Sequence, residues 1–184
     1  MEEHLYLVAI RITVVADATE VSNGGSTMAE YTNNAIQLVQ PNQPILLNTT
    51  IGCPKGYVLH REGSGIVTLR GITNNCFARY QVTFNGNIAI PEGGTAPAPI
   101  SIAIAIDGEP VLTSRAVVTP AAASEAPPSS LNYFNVTSTA IVTVPKGCCF
   151  NISVENTSES PTPATTPAPA INVQNANLVV SRIA

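Results

Sequence analysis

One stretch of the chain sets a base, an acid and a hydroxyl side by side: His60-Arg61-Glu62-Gly63-Ser64-Gly65. Such groups support acid–base or nucleophilic chemistry only if they converge on one reacting atom. They fall on a strand and the turn that follows it, and neighbours on a strand point to opposite faces. His60 and Arg61 therefore diverge. His60 and Glu62 share a face beside the turn, where a structural hydrogen bond or salt bridge is expected. No nucleophile elbow, Gly-rich phosphate loop or H-E-x-x-H motif occurs. The chain holds two aspartates, Asp17 and Asp107. That count argues against a paired-carboxylate hydrolase and against a carboxylate-rich calcium cage.

The four cysteines, Cys53, Cys76, Cys148 and Cys149, form no C-x-x-C pair, and the only histidines are His4 and His60. A zinc site would need an unusual ligand set. By strand alternation Cys76 shares a face with Ala78, Tyr80, Val82 and Phe84, and Cys148 shares one with Phe150, Ile152 and Val154. Both are expected to be buried as small hydrophobes, with Cys149 pointing outward. A Cys53–Cys76 disulfide is an alternative that sequence does not decide. Four N-x-[ST] sequons occur, at Asn48, Asn135, Asn151 and Asn156. Without a secretory signal they are read as polar residues on strand surfaces. Tyr57, Tyr80 and Tyr133 could form a carbohydrate-stacking platform, but Tyr80 lies on the expected core face, where a tyrosine with one satisfied hydroxyl is the commoner case.

The elements that must position these residues are strands. ISIAIAIDGEPVL (Ile100–Leu112), FNVTSTAIVTVPKGCCFNISVEN (Phe134–Asn156) and INVQNANLVVSRIA (Ile171–Ala184) alternate residue by residue and are joined by turn dipeptides. Asp107-Gly108, Lys146-Gly147 and Gly63-Ser64-Gly65 mark tight turns. Strands are expected near 34–40, 44–52, 56–61, 64–72, 76–90, 99–107, 110–119, 131–144, 147–157 and 171–183. Ten antiparallel strands and no convincing helix predict an all-β sandwich or jelly roll. Pro120–Ser130 and Ser158–Ala170 are too rich in Pro and Ala for strands and read as outer loops. Residues 1–27 form an extension. Its β-branched run suggests a strand, with Leu5, Leu7, Val8, Ile10, Ile12 and Val14 as an attachment element that pairs elsewhere by β-augmentation. SNGGST (Ser22–Thr27) then reads as a linker, and the main domain is expected over 28–184.

Composition narrows the function. Hydrophobic residues are 45% of the 184, enough for a core, while charged residues are 11%, against about 25% in an average domain. The net charge is −4, with eight Lys and Arg in all. No basic patch can be assembled, so nucleic acid is not an expected partner. No apolar run reaches the length of a membrane-spanning helix, and the acidic N-terminus lacks the basic region of a signal peptide. No cofactor is expected.

Residues 34–184 resemble the C1q/TNF-type jelly roll. The resemblance is carried by the aromatic-rich strand FARYQVTF, by the turn in IAIAIDGEPV, by the small-residue strands of Phe134–Asn156 and by the closing strand LVVSRIA. The ending SVENTS…INVQNANLVVSRIA is similar to the C-terminal domains of collagen-like spore-surface glycoproteins, although no Gly-X-Y repeat precedes it. The 28–184 block is similar to small proteins found among the virion genes of phages. The resemblance implies a homotrimer that buries apolar strand faces. Ile100, Ile102, Ile104 and Ile106 on one face of a strand, and Ala103 and Ala105 on the other, suit a strand covered on both sides, by the core and by a neighbouring subunit. The expected protein is a non-enzymatic capsid decoration or head-fibre protein of a bacteriophage virion. Its N-terminal arm would hold it to the major capsid protein or another virion protein. The alternative is a receptor- or carbohydrate-binding module of a tail fibre, or of a bacterial spore or cell surface, that touches host-surface glycans.

Overall fold

The computed structural model describes residues 27–52, 56–91, 99–120, 133–160 and 167–184. Among these residues there are twelve strands and one turn of 3-10 helix, Leu112–Ser114. The strands are β1 Met28–Asn33, β2 Gln37–Val39, β3 Thr49–Ile51, β4 Val58–His60, β5 Val67–Arg70, β6 Phe77–Ala89, β7 Ile100–Ile106, β8 Glu109–Pro110, β9 Ala116–Val118, β10 Phe134–Pro145, β11 Cys149–Asn156 and β12 Ile171–Arg182. One sheet runs β10-β6-β12-β1-β3, with β2 also paired to β12; the other runs β4-β5-β11-β7-β8, with β9 paired to β7. Every pairing is antiparallel.

The alternation that predicts the strands also builds the core. On β6, Ala78, Tyr80, Val82 and Phe84 are fully buried while Phe77, Arg79, Gln81 and Asn85 face out. On β10, Val136, Ser138, Ala140, Val142 and Val144 are buried and the residues between them are exposed. Tyr31, Phe84 and Leu178 from the first sheet join Leu69, Ile102, Ile104 and Ile152 from the second in one cluster. Each such side chain stabilises the fold by about 1.5–3 kcal/mol through the apolar surface it removes from water.

The turns behave as their residues require. Asp107 and Gly108 both have positive φ, +51° and +83°, in the two-residue turn that joins Ile106 to its partner Glu109. Asn and Asp tolerate this backbone region and Gly adopts it freely, so the Asp-Gly pair sets a primed hairpin turn. Gly147, at φ +78°, turns Pro145–Cys148, which closes through Cys148 N–H to Pro145 O at 3.0 Å.

Several boundaries differ from the sequence reading. β1, starting at Met28, precedes the first expected strand, and its long pairing with β12 makes it a central strand. The expected strand 110–119 is two short pieces, β8 and β9, interrupted by the 3-10 turn. There the Ser114 hydroxyl donates to Val111 O and accepts from Ile104 N–H, so a side chain replaces a ladder bond. The expected strand 44–52 is a strand only at β3, preceded by isolated bridges at Pro44 and Leu47. Cys76 and Cys148 correct the expectation of burial, since both are exposed. Alternation places a side chain in the core only inside the sandwich. Cys76 lies just before β6 begins and Cys148 sits in the turn before β11. Cys149 points outward, as its position in the alternation requires. Asn156 is a second correction. It is fully buried, not at a strand surface, and its amide donates to Val39 O and Pro169 O, both at 3.0 Å. Cys53, the attachment residues Leu5, Leu7, Val8, Ile10, Ile12 and Val14, residues 121–130 of the first Pro-rich loop and residues 161–166 of the second lie outside the described residues.

Candidate functional site

His60 takes a structural role, with partners other than the one its sequence neighbours suggest. Its Nδ1 lies 3.1 Å from Ile66 O and its Nε2 3.1 Å from Leu47 O. The ring thus pins the β4–β5 hairpin to the chain entering β3, and it packs at 4.6 Å against the Tyr31 ring. Glu62 is exposed in the turn. Tyr80 is fully buried and its hydroxyl donates to Arg70 O at 2.5 Å, so it cannot serve a stacking platform. Burial raises the pKa of that phenol. Tyr57 instead carries the Arg182 guanidinium over its ring at 4.2 Å.

The trimer-face residues all lie on β7. Ile100, Ile102 and Ile104 enter the core; Ala103 and Ala105 are fully buried as well, and Ile106 is half-buried. Both faces of β7 are covered within one chain, so neither needs a neighbouring subunit to cover it. The large open face belongs to the other sheet. On its outer side β6 and β10 present a ladder of neutral amides and hydroxyls. Asn85 donates to Thr137, Asn135 donates to Asn85 and Asn87, and Thr139 bonds Thr83. Ile141 stands exposed beside this ladder, opposite Gln81, and Phe77 lies at its end under the Arg79 guanidinium.

Sequence reading missed a concave site on the second sheet. A cleft of about 340 Å³ opens between the β7–β8 turn, β11 and the segment that enters β3. Asp107 and Gly108 form one lip, Asn151, Ser153 and Glu155 the floor, and Pro44 and Ile66 the far wall. The elements explain the assembly. β11 is paired to β7 from Ile152 onward, which brings the turn after β7 beside Asn151. Asp107 Oδ1 accepts the Asn151 N–H at 2.9 Å. Pro44 bridges to Glu155 where β5 has ended, which extends the wall along the strand. Ser153 and Glu155 are same-face neighbours, and the Ser153 hydroxyl donates to Glu155 Oε1 at 2.6 Å. The available signal was Glu155 itself, a charged residue inside the alternating strand FNISVEN. Among the described residues, no group of three or more His, Cys, Asp or Glu side chains could hold a metal ion. No helix among them is long and apolar enough to cross a membrane.

Neither a protein-family model nor a curated protein sequence matches the chain. Solved structures do. The globular domain of zebrafish complement 1qA protein is 13% identical with a TM-score of 0.48, over 85% of this chain and 96% of its own. Eiger TNF from S. frugiperda is 12% identical with a TM-score of 0.50, over 85% of this chain and 92% of its own. The fold is a C1q/TNF-like jelly roll. At these identities the likeness extends to the sandwich, and the fold alone does not assign a function.

Proposed function

We propose that this C1q/TNF-like jelly roll is a non-enzymatic structural module of a bacteriophage virion, a homotrimeric capsid decoration or head-fibre protein. The observation that carries the assembly is the open outer face of the β10-β6-β12-β1 sheet. It carries few charges, Glu30 and Arg79 among them, and is hydrogen-bonded within itself, with Ile141 exposed on it. A stable interface needs about 800 Å² from each partner. This moves the subunit contact from β7, whose two faces are already covered, to the opposite sheet. The N-terminal segment with Leu5, Leu7, Val8, Ile10, Ile12 and Val14 is the arm that joins the body to the major capsid protein or another virion protein by strand addition. Sedimentation of the full chain tests the assembly and is expected to give three times the monomer mass; a monomer at micromolar concentration would overturn it. Deleting residues 1–20 is expected to abolish capsid attachment and leave the trimer intact.

The cleft beside Glu155 favours a second reading, a ligand-binding module on a phage fibre or on a bacterial spore or cell surface. Glycan-array binding that is lost when Asn151 or Glu155 is changed would favour this reading over the first.

A further inference from the structure

Both ring nitrogens of His60 face oxygens that can only accept a hydrogen bond. Nδ1 lies 3.1 Å from Ile66 O and Nε2 3.1 Å from Leu47 O. A neutral imidazole carries one N–H, so it donates to one of these carbonyls and turns a lone pair toward the other. A ring with two protons donates to both, and hydrogen bonds from a charged donor are the stronger ones. Neighbouring charges do not decide between these forms. Tyr31, from β1, packs against the ring, and burial pushes the pKa of its phenol up to about 12, so it stays neutral where a histidine titrates. Arg61 and Glu62 follow His60 in the exposed hairpin turn, and among the described residues no carboxylate pairs with the ring. Residues 44–50 bring no titratable side chain. β5 brings Arg70, whose guanidinium donates to Gly56 O. The two carbonyls are therefore the groups that distinguish the charged ring from the neutral one.

The place of the ring in the fold gives this choice a consequence. His60 ends β4 in the second sheet, while Leu47 leads into β3 and Tyr31 lies on β1, both in the first. The same seam is stitched by backbone. Leu47 O also accepts the Gly63 N–H at 2.9 Å, and the Leu47 N–H donates to Ser64 O at 3.1 Å. The ring closes the seam from the side, bonding the hairpin at Ile66 and the neighbouring stretch at Leu47 together. We propose that His60 is a pH-sensitive clamp between the two sheets, closed when the ring carries two protons and half released when it carries one. The folded chain favours the charged ring, which makes both bonds, and the unfolded chain has no such preference. The clamp's stabilisation is thus full at low pH and lost as pH rises through the range in which histidine gives up its second proton. This goes beyond the assembly reading and does not depend on it, since subunit mass tests one and proton titration the other.

Nuclear magnetic resonance of the full chain labelled with nitrogen-15 tests this, with spectra recorded from about pH 5 to about pH 9, the span over which histidines titrate. Both ring nitrogens of His60 are expected to remain protonated to a higher pH than those of a histidine in a short unstructured peptide. The Leu47 and Gly63 amides should shift with the same midpoint. His60→Gln identifies the ring signals and supplies a side chain that donates but does not titrate. Urea unfolding of both proteins at about pH 6 and about pH 8 then reads the clamp. Between these values the native protein should lose about fivefold in its folding equilibrium relative to His60→Gln, the scale of one hydrogen bond. Should His60→Gln lose its native circular dichroism, the ring titration of the native protein decides alone. A ring that gives up its second proton at or below the pH found for the peptide would overturn the proposal. So would a stability difference between the two proteins that does not change with pH.

Discussion

Tyr31 shows at the residue scale how a core side chain can carry a polar group without a partner. Its ring fills the core and packs tilted against His60, yet among the described residues its buried hydroxyl has no hydrogen-bond partner. Burial pushes its pKa up from 10.0 to about 12. A group whose folded pKa lies above its unfolded one contributes stability that is full below the unfolded value. That contribution is lost as pH rises through the folded value. Tyr31 therefore favours the fold below pH 10 and ceases to do so toward pH 12. Tyr31→Phe keeps the ring and removes the unsatisfied group, so it is expected to leave stability at pH 7 unchanged or raise it by about 1 kcal/mol. Its stability should also fall less steeply above pH 10, with a remaining slope from Tyr80. Urea unfolding at pH 7 and pH 10.5 measures both effects; a variant less stable at pH 7 would show that the hydroxyl is bonded. The cysteines make the complementary point. Alternation orients a side chain relative to its strand, but whether the strand still lies under the opposite sheet at that residue is a tertiary fact. Cys76 and Cys148 lie just outside β6 and β11 and are exposed.

At the element scale, Gly71 links two parts of the second sheet's end. Its N–H donates to Cys148 O and its carbonyl accepts Gly147 N–H, so the chain leaving β5 is clamped against the β10–β11 turn. A methyl group added at Gly71 would lie 1.9 Å from Pro145 O, a backbone atom that cannot swing aside. Gly71→Ala is expected to cost at least about 2 kcal/mol by forcing that turn away. Thermal unfolding should show a midpoint lowered by several degrees; an unchanged midpoint would mean the turn moves freely. The sequence marks the Lys146-Gly147 turn but contains nothing to say that residue 71, far away along the chain, lies against it. Turn chemistry is local, whereas the close approach of two backbones depends on how the sheets stack. The Asp107-Gly108 hairpin was readable for the same reason, because both residues that set it are in the turn.

For the whole molecule, the assembly reading places subunit contacts on the outer face of the β10-β6-β12-β1 sheet. Ile141→Asp puts a charge on that face at a side chain 56% exposed in one chain, so the monomer should fold while the trimer is lost. Sedimentation together with circular dichroism separates the outcomes, and a persisting trimer would remove this face from the contact. Period-two alternation and turn residues by themselves determined an all-β chain, most of its strands and the inward faces of β6, β7 and β11. Those features follow from each residue's own preference to be buried or wet. Only the tertiary structure decided which strands pair, that β1 is central, and that both faces of β7 are covered within one chain. It also decided that Asp107 and Glu155 share a cleft. Pairing between distant strands is selected by the stacking of whole sheets, and no local pattern carries that information.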